Sequence, residues 1–368
     1  MRKDLKNQKS RNLKDANAMD GRGAETVAKP VIVSVILPIH NGVQWLDGCL
    51  ESILAQTLLD PSAEAPHLEL SAFDDGSTDA TWEALKNWAP RLRERNVQVT
   101  LGRSGSTSGG GCGFAKNRAV AQSHGAWLCF HDVDDLMQPH RIARQLAAAR
   151  EWPDAIVGAR VLREPEGSTE RYTSWANNMT PDQLYLHRFR ECTLLMPTWF
   201  ISREAFYTTG GFREEKCEDL LFLQAHVLRG GTLHRVDETL VVYRYHAQAV
   251  SQGTPRQLLL RHRALAIEEA VLAGWESFTI WGAGRDGRAF FKALSEASKR
   301  KVAAFCDVDP QKIGRDYQYF EYRVPIVHFT QARPPIVTCV ALDRTGGAFE
   351  ANLASLQLAE GKDFYHFC

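Results

Sequence analysis

From residue 31 onward this chain alternates short apolar runs with amphipathic ones, a rhythm that calls for a mainly parallel sheet covered by helices. Strand-like segments fall at 31–37, 68–73, 97–101, 126–130 and 155–161, and helix-like segments fall between them at 45–56, 78–88, 114–123 and 139–150. Neighbouring parallel strands need a crossover, and helices at this spacing supply it. A mixed region of shorter elements continues to about residue 254. Pro255 then opens a long helical pattern through Leu258, Leu259, Ala266, Ile267 and Ala270, which reads as a connector over 255–275. A second α/β unit follows over 276–368: a strand at 277–281, the turn Gly282-Ala283-Gly284-Arg285-Asp286-Gly287, and a helix to about residue 298. Further strands are expected at 301–306, ending at Asp307, and at 323–327 and 336–341.

Two acidic clusters sit where strands should end: Asp74-Asp75-Gly76-Ser77-Thr78-Asp79 and Asp132-Val133-Asp134-Asp135. In an open parallel sheet, ligands bind beyond the carboxyl ends of the strands. Carboxylates gathered there repel one another unless a cation lies between them. Oxygen ligands favour a hard ion, Mg²⁺ or Mn²⁺, which keeps waters and takes substrate phosphates beside one or two carboxylates. A nucleotide diphosphate is the natural guest. Taken alone, the first cluster reads equally as a helix start, with Ser77 or Thr78 and Asp79 capping the next helix. The glycine-rich stretch 102–113 lacks the Gly-Lys-Ser/Thr ending of a phosphate-cradling P-loop and reads as a lid. Lys116 and Asn117, just inside the following helix, offer a cation and an amide to a nucleotide.

The chain has 368 residues, with 44 basic and 44 acidic side chains, so no global field announces nucleic acid as a partner. Its eight cysteines show no CxxC pair or zinc spacing, as buried thiols in a reducing compartment would. No run approaches the roughly 20 apolar residues of a membrane span, and residues 1–29 are polar and charge-rich, without the apolar core of a signal peptide. A disordered basic tail over 1–29 and a cytoplasmic location are the expectations, the tail's sharper alternative being an arm that touches nucleic acid.

The ordered set Val33-Ser34-Val35-Ile36-Leu37-Pro38-Ile39-His40-Asn41, Asp74-Asp75-Gly76-Ser77-Thr78-Asp79, Lys116-Asn117, Phe130-His131-Asp132-Val133-Asp134-Asp135, Gly210-Gly211-Phe212 and Glu218-Asp219 resembles the family-2 glycosyltransferases of GT-A fold over residues 31–250. The resemblance implies a GT-A domain over 30–254, followed by the small Rossmann-like domain. It places Pro38, His40, Asn41, Asp74, Asp75, Lys116, Asn117, Asp132 and Val133 on the donor. Asp132 and Asp134, with His246, would hold the metal. The general base would be Asp219, in preference to Glu218. The family often carries Arg where Lys116 stands, which would turn a bidentate contact into a single-point one. The Gln-x-x-Arg-Trp signature of processive synthases is missing, in keeping with transfer of one sugar.

More narrowly, residues 31–368 resemble the animal β-1,3-N-acetylglucosaminyltransferase-like proteins, a group similar to the tRNA-queuosine galactosyltransferases. Met196-Pro197-Thr198-Trp199-Phe200, Tyr243-Arg244-Tyr245-His246, Phe305-Cys306-Asp307-Val308-Asp309 and Leu342-Asp343-Arg344-Thr345-Gly346-Gly347 carry that likeness. It implies UDP-galactose as donor and queuosine at the wobble position of tyrosine tRNA as acceptor. On such an RNA, Trp199, Phe200, Tyr243 and Tyr245 would be candidates for stacking, with core packing the role of at least half of them, and Arg285, Arg288, Lys292, Lys299, Arg300 and Lys301 candidates for phosphate contacts or else a solvated helix face. An N-acetylglucosaminyl transfer to a β-galactoside is the alternative. The Gly282 to Gly287 turn with Asp307 about twenty residues on also fits a dinucleotide fingerprint, so an oxidoreductase is a further one. A non-catalytic RNA-binding module is the last.

Overall fold

The computed structural model describes residues 31–59, 67–249 and 253–368, and residues 31–368 form one compact unit. The basic tail expected over 1–29 lies outside the described residues. The first sheet contains β1 (Val31–Ile39), β2 (His67–Asp74), β3 (Val97–Arg103), β4 (Trp127–Phe130), β5 (Leu136–Met137), β6 (Ala155–Glu164), β7 (Phe200–Ser202) and β8 (Thr232–Arg244). Their order is β3-β2-β1-β4-β7-β6-β8-β5. The β3-β2-β1-β4 half is parallel, while β7 runs antiparallel to both β4 and β6. The chain's direction therefore changes beside β4, the strand that delivers the second acidic cluster.

Helices α1 (Val43–Leu54), α2 (Thr81–Glu94), α3 (Cys112–Ala121) and α4 (Arg141–Glu151) make the crossovers. Both faces of the sheet are covered, so alternate residues of β1 enter different cores: Val33, Val35 and Leu37 one, Ile36 the other. After β6 come α5 (Glu170–Asn178), α6 (Pro181–Leu186), α7 (Arg203–Thr209) and α8 (Glu218–Leu228). The Met196 to Phe200 segment belongs to this packing. Trp199 and Phe200 are fully buried, and the Trp199 indole N–H donates to the Leu194 carbonyl at 2.8 Å. These two therefore take the core-packing role and not the stacking one, while Tyr245 is 44% exposed.

The long helix expected after Pro255 is α9 (Arg256–Ala270). The second sheet follows, with β9 (Phe278–Trp281), β10 (Val302–Asp307), β11 (Asp316–Tyr319), β12 (Tyr322–His328), β13 (Ile336–Thr338) and β14 (Phe364–His366) in the order β11-β12-β10-β9-β13-β14. All neighbours are parallel except β11 and β12, a hairpin. Its helices are α10 (Arg285–Ala293), α11 (Glu296–Arg300) and α12 (Ala348–Ser355). The single helix expected to residue 298 is thus two. Leu294 leaves helical geometry, and the Ser295 hydroxyl accepts the Ser298 N–H to start a new turn. Phe189, from the turn after α6, is fully buried among the apolar residues of the second sheet, which seats that sheet against the first part of the chain.

Candidate active site

The first acidic cluster is built on a turn that admits no side chain. Gly76 has φ +77°, and a Cβ there would lie 2.0 Å from the Ser106 carbonyl oxygen. Asp74 is fully buried; its Oδ1 accepts the Ser77 N–H at 2.9 Å and its Oδ2 meets the Arg103 guanidinium at 3.0 Å. The Asp75 carboxylate accepts the backbone N–H groups of Gly110 and Gly111, each at 2.8 Å. The glycine-rich stretch is therefore folded back onto Asp75. His40 Nδ1 donates to the Asp75 carbonyl at 2.8 Å, and the Asn41 side-chain oxygen accepts the Thr78 N–H at 2.9 Å. Pro38 lies just before them in β1, half-buried. Val133 is buried so closely under the turn after β1 that a Cβ on Gly42 would lie 2.8 Å from its Cγ1. The second cluster thus packs directly beside His40 and Asn41. Asp79 does not start α2 as a cap three residues ahead; its Oδ1 accepts the Thr81 N–H at 3.0 Å, and the helix begins there.

The second cluster stands on a rigid base. Arg141 is fully buried: its guanidinium donates to the Phe130 carbonyl at 2.7 Å, reaches His131 Nδ1 at 3.0 Å and donates to Gln145 at 3.0 Å. Burial and then the Arg141 charge push the His131 imidazole well below its usual range, so it is neutral. Beyond it, Asp132, Asp134 and Asp135 each offer a carboxylate oxygen, and these atoms lie within 4.8 Å of one another. His246 Nε2 meets Asp134 Oδ2 at 2.8 Å, and its ring lies 5.0 Å from that of Trp45. Asp135 accepts the Arg244 N–H at 2.9 Å through Oδ1, while its buried Oδ2 has no hydrogen-bond partner. Burial, then Asp134 and Asp132, push Asp135 well above the carboxylate range. Asp132 is pushed up to about 6 by burial, with Asp134, Glu218 and Asp219 adding to it against the pull of Lys116. Three crowded carboxylates with an orphaned buried oxygen fit a hard divalent cation, and Asp132, Asp134 and Asp135 would hold it. When bound, it supplies positive charge to the diphosphate of a leaving nucleotide.

A third group completes the crevice. Lys116 Nζ stands 2.8 Å from Glu218 Oε1, with the two side chains 5% and 13% exposed. Burial works against the Lys116 charge, but Glu218 and Asp132 outweigh it and hold the ammonium above its usual range. Glu218 is correspondingly held below its ordinary value, because Lys116 overcomes the cost of burial. Asp219, next in line, is pushed up to about 6 by burial and by Glu218. Asn117 clamps the loop leading to this pair: its amide N–H donates to the Phe212 carbonyl at 2.8 Å, and its oxygen accepts the Phe212 N–H at 3.0 Å. Lys116 and Asn117 were expected on the donor; here Lys116 pairs with Glu218 at the start of α8, and Asn117 holds Phe212 in the loop before it. Sequence reading put Asp135 in the acidic cluster but not among the metal ligands, where the structure groups it with Asp132 and Asp134. Arg103, Arg141 and Arg244 carried no local signal.

The glycine fingerprint of the second sheet is also formed, and its polar groups are engaged. A Cβ on Gly287 would lie 1.9 Å from the Gly282 carbonyl oxygen, so α10 packs closely on β9. Asp307 Oδ2 accepts the Ala283 N–H at 2.9 Å and pairs with Lys312 at 3.1 Å, while Oδ1 accepts the Val308 and Asp309 N–H groups. The carboxylate that would take a ribose hydroxyl is thus held by the protein. The basic stretch is likewise not one open face. Lys299 is 7% exposed and pairs with Glu296, and Lys301 Nζ donates to the Leu272 carbonyl at 2.7 Å.

Residues 34–210 match the model of glycosyl transferase family 2, and the mixed α/β fold of that part of the chain is of GT-A type. An uncharacterized glycosyltransferase of Rickettsia felis is 26% identical over 239 residues, which are 60% of this chain and 35% of that protein. Glycosyltransferase GlyG of Streptococcus pneumoniae is 22% identical over 232 residues, covering 60% of this chain and 72% of GlyG. The chain thus spans about a third of the Rickettsia relative. S. aureus TarS, solved over residues 1–349 in complex with UDP-GlcNAc, superposes with a TM-score of 0.50 at 17% identity, over 72% of this chain and 71% of that one. No helix among the described residues is long and apolar enough to cross a membrane.

Proposed function

We propose that this chain is an inverting, metal-dependent galactosyltransferase that moves galactose from UDP-galactose to queuosine at the wobble position of tyrosine tRNA. The carrying observation is the division of labour in the Glu218-Asp219 pair. Lys116 neutralises Glu218, while Asp219 keeps a pKa near 6 and no lysine of its own. A carboxylate with that affinity for protons is suited to take one from an acceptor hydroxyl near neutral pH. As that oxygen bonds to the anomeric carbon, the bond from carbon to the diphosphate oxygen breaks on the opposite face, and UDP leaves. An α-linked donor therefore gives a β-galactoside. Asp74, Asp75, His40 and Asn41 line the end of the crevice for the nucleoside. Asp132, Asp134 and Asp135 line the diphosphate end, with His246 beside them. Lys116 acts here as a positioning residue for Glu218, and Asn117 fixes the loop.

Support for the RNA acceptor comes from the sequence motifs shared with queuosine galactosyltransferases. The test is direct: incubate the protein with UDP-galactose, Mn²⁺ and tyrosine tRNA that carries either queuosine or unmodified guanine, then analyse the digested nucleosides by mass spectrometry. One added hexose on queuosine alone is expected. Transfer to a β-galactoside from UDP-N-acetylglucosamine, with none to tRNA, would replace the acceptor and donor while keeping the glycosyltransferase chemistry.

A further inference from the structure

The hairpin joining β11 to β12 breaks two habits of protein surfaces at once. Tyr319 pairs with Tyr322, so its loop is two residues long, Phe320 and Glu321. Phe320 has φ +51° and is 85% exposed. The first position of such a loop favours glycine when φ is positive, and a bulky residue there is an outlier. A large apolar ring at that position neither fills a core nor eases the turn. Strain of this kind is kept where the surroundings over-determine it, and it clusters at sites of binding.

The surroundings add charge to the exposed ring. Tyr319 lies edge-on to Phe320, with ring centroids 4.7 Å apart, and Lys292 Nζ lies 5.5 Å above the Tyr319 ring. Lys292, Arg300 and Arg323 are exposed, and Lys299 Nζ reaches Tyr319 from below at 5.6 Å. These cations outnumber the acids of the tip, Asp316, Glu296 and Glu321; Arg323 pairs with the first and Lys299 with the second. An exposed aromatic face fringed by cations is the pattern that takes an unpaired base on the ring and its phosphates on the charges.

We propose that the Phe320 hairpin is a stacking platform for an unpaired base of RNA, holding the acceptor by a contact outside the transfer crevice. The proposal rests on the reading of RNA as acceptor. The full chain is titrated with a fluorescent single-stranded oligouridine and with a duplex RNA of the same length. Phe320→Gly, which suits the positive φ, should fold at least as stably as the wild type and bind the single strand on the order of tenfold more weakly, the size of one base stack. Phe320→Tyr should restore the affinity, and neither change should alter binding to the duplex or to UDP. Unchanged single-strand affinity in Phe320→Gly would overturn the proposal. So would a Phe320-dependent self-association in sedimentation, which would make the tip a protein contact. The two readings fail separately. Galactose transfer to tRNA with an affinity indifferent to Phe320 refutes only the platform, whereas Phe320-dependent RNA binding without any transfer to tRNA refutes only the acceptor assignment.

Discussion

Replacing Lys116 by methionine removes one half of a buried ion pair and tests how the Glu218-Asp219 start of α8 is held. The ammonium lies 2.8 Å from Glu218 Oε1, and the side chains are 5% and 13% exposed. Removing one partner of an enclosed pair costs about 3–5 kcal/mol, since the other charge is left without compensation. Methionine refills much of the lysine volume above the Phe212 ring, and Glu218 can take up a proton, so a smaller loss, about 2–3 kcal/mol, is expected. Urea unfolding of the single variants and of Lys116→Met/Glu218→Gln gives the cycle. The double variant should recover most of the loss, because the orphaned charge is gone. A second readout follows from the same cation, which also draws Asp219 downward. The wild-type rate should rise with pH through about 6 as Asp219 ionises; Glu218 raises Asp219 more than Lys116 lowers it, so Lys116→Met/Glu218→Gln should move that limb to lower pH. A Lys116→Met variant within about 0.5 kcal/mol of wild type, with the limb unmoved in the double variant, would refute the reasoning.

Asp219→Asn should lower turnover by about 10²- to 10⁴-fold with little change in UDP affinity, measured by steady-state kinetics and calorimetry; a larger loss in Glu218→Gln than in Asp219→Asn would exchange their roles. Gly76→Ala places a methyl 2.0 Å from a backbone oxygen at positive φ, so a loss of about 1–3 kcal/mol in urea unfolding and weaker UDP binding are expected. Asp132 and Asp219 have folded values near 6 against an ordinary 3.8, so their protonated forms favour the fold. That contribution is full below about 3.8 and is lost as pH rises through about 6; the metal-free protein should lose thermal stability over that interval, and Mn²⁺ should restore it.

What could be read from sequence follows from what is local. The crossovers from β1 through α4 were legible because apolar periodicity and strand-end carboxylates lie within each segment. Helix boundaries near Thr81 and Leu294 were displaced by single hydrogen bonds, from the Thr81 N–H to Asp79 and from the Ser298 N–H to Ser295. The acidic residues of the site were visible, and the resemblance set His246 beside Asp134, but the residues alone gave neither that pairing nor the one between Lys116 and Glu218. Lys116 and Glu218 are 102 positions apart, Asp134 and His246 are 112 apart, and nothing in a linear pattern announces which cation meets which carboxylate. Lys116 was read as a donor contact, and its pairing with Glu218 was not foreseen. Aromatic content did not say which rings face solvent: Trp199 and Phe200, candidates for either stacking or the core, are core, while Phe320 drew no notice.

The most direct measurement is UDP binding by calorimetry, with Mn²⁺ and with chelator, in wild type and Asp134→Ala. The proposed metal site predicts that Mn²⁺ tightens UDP binding in the wild type and has no effect in Asp134→Ala, whose fold is unchanged by circular dichroism. Wild-type affinity indifferent to both Mn²⁺ and the substitution would contradict the assignment of Asp132, Asp134 and Asp135 to a metal-held diphosphate.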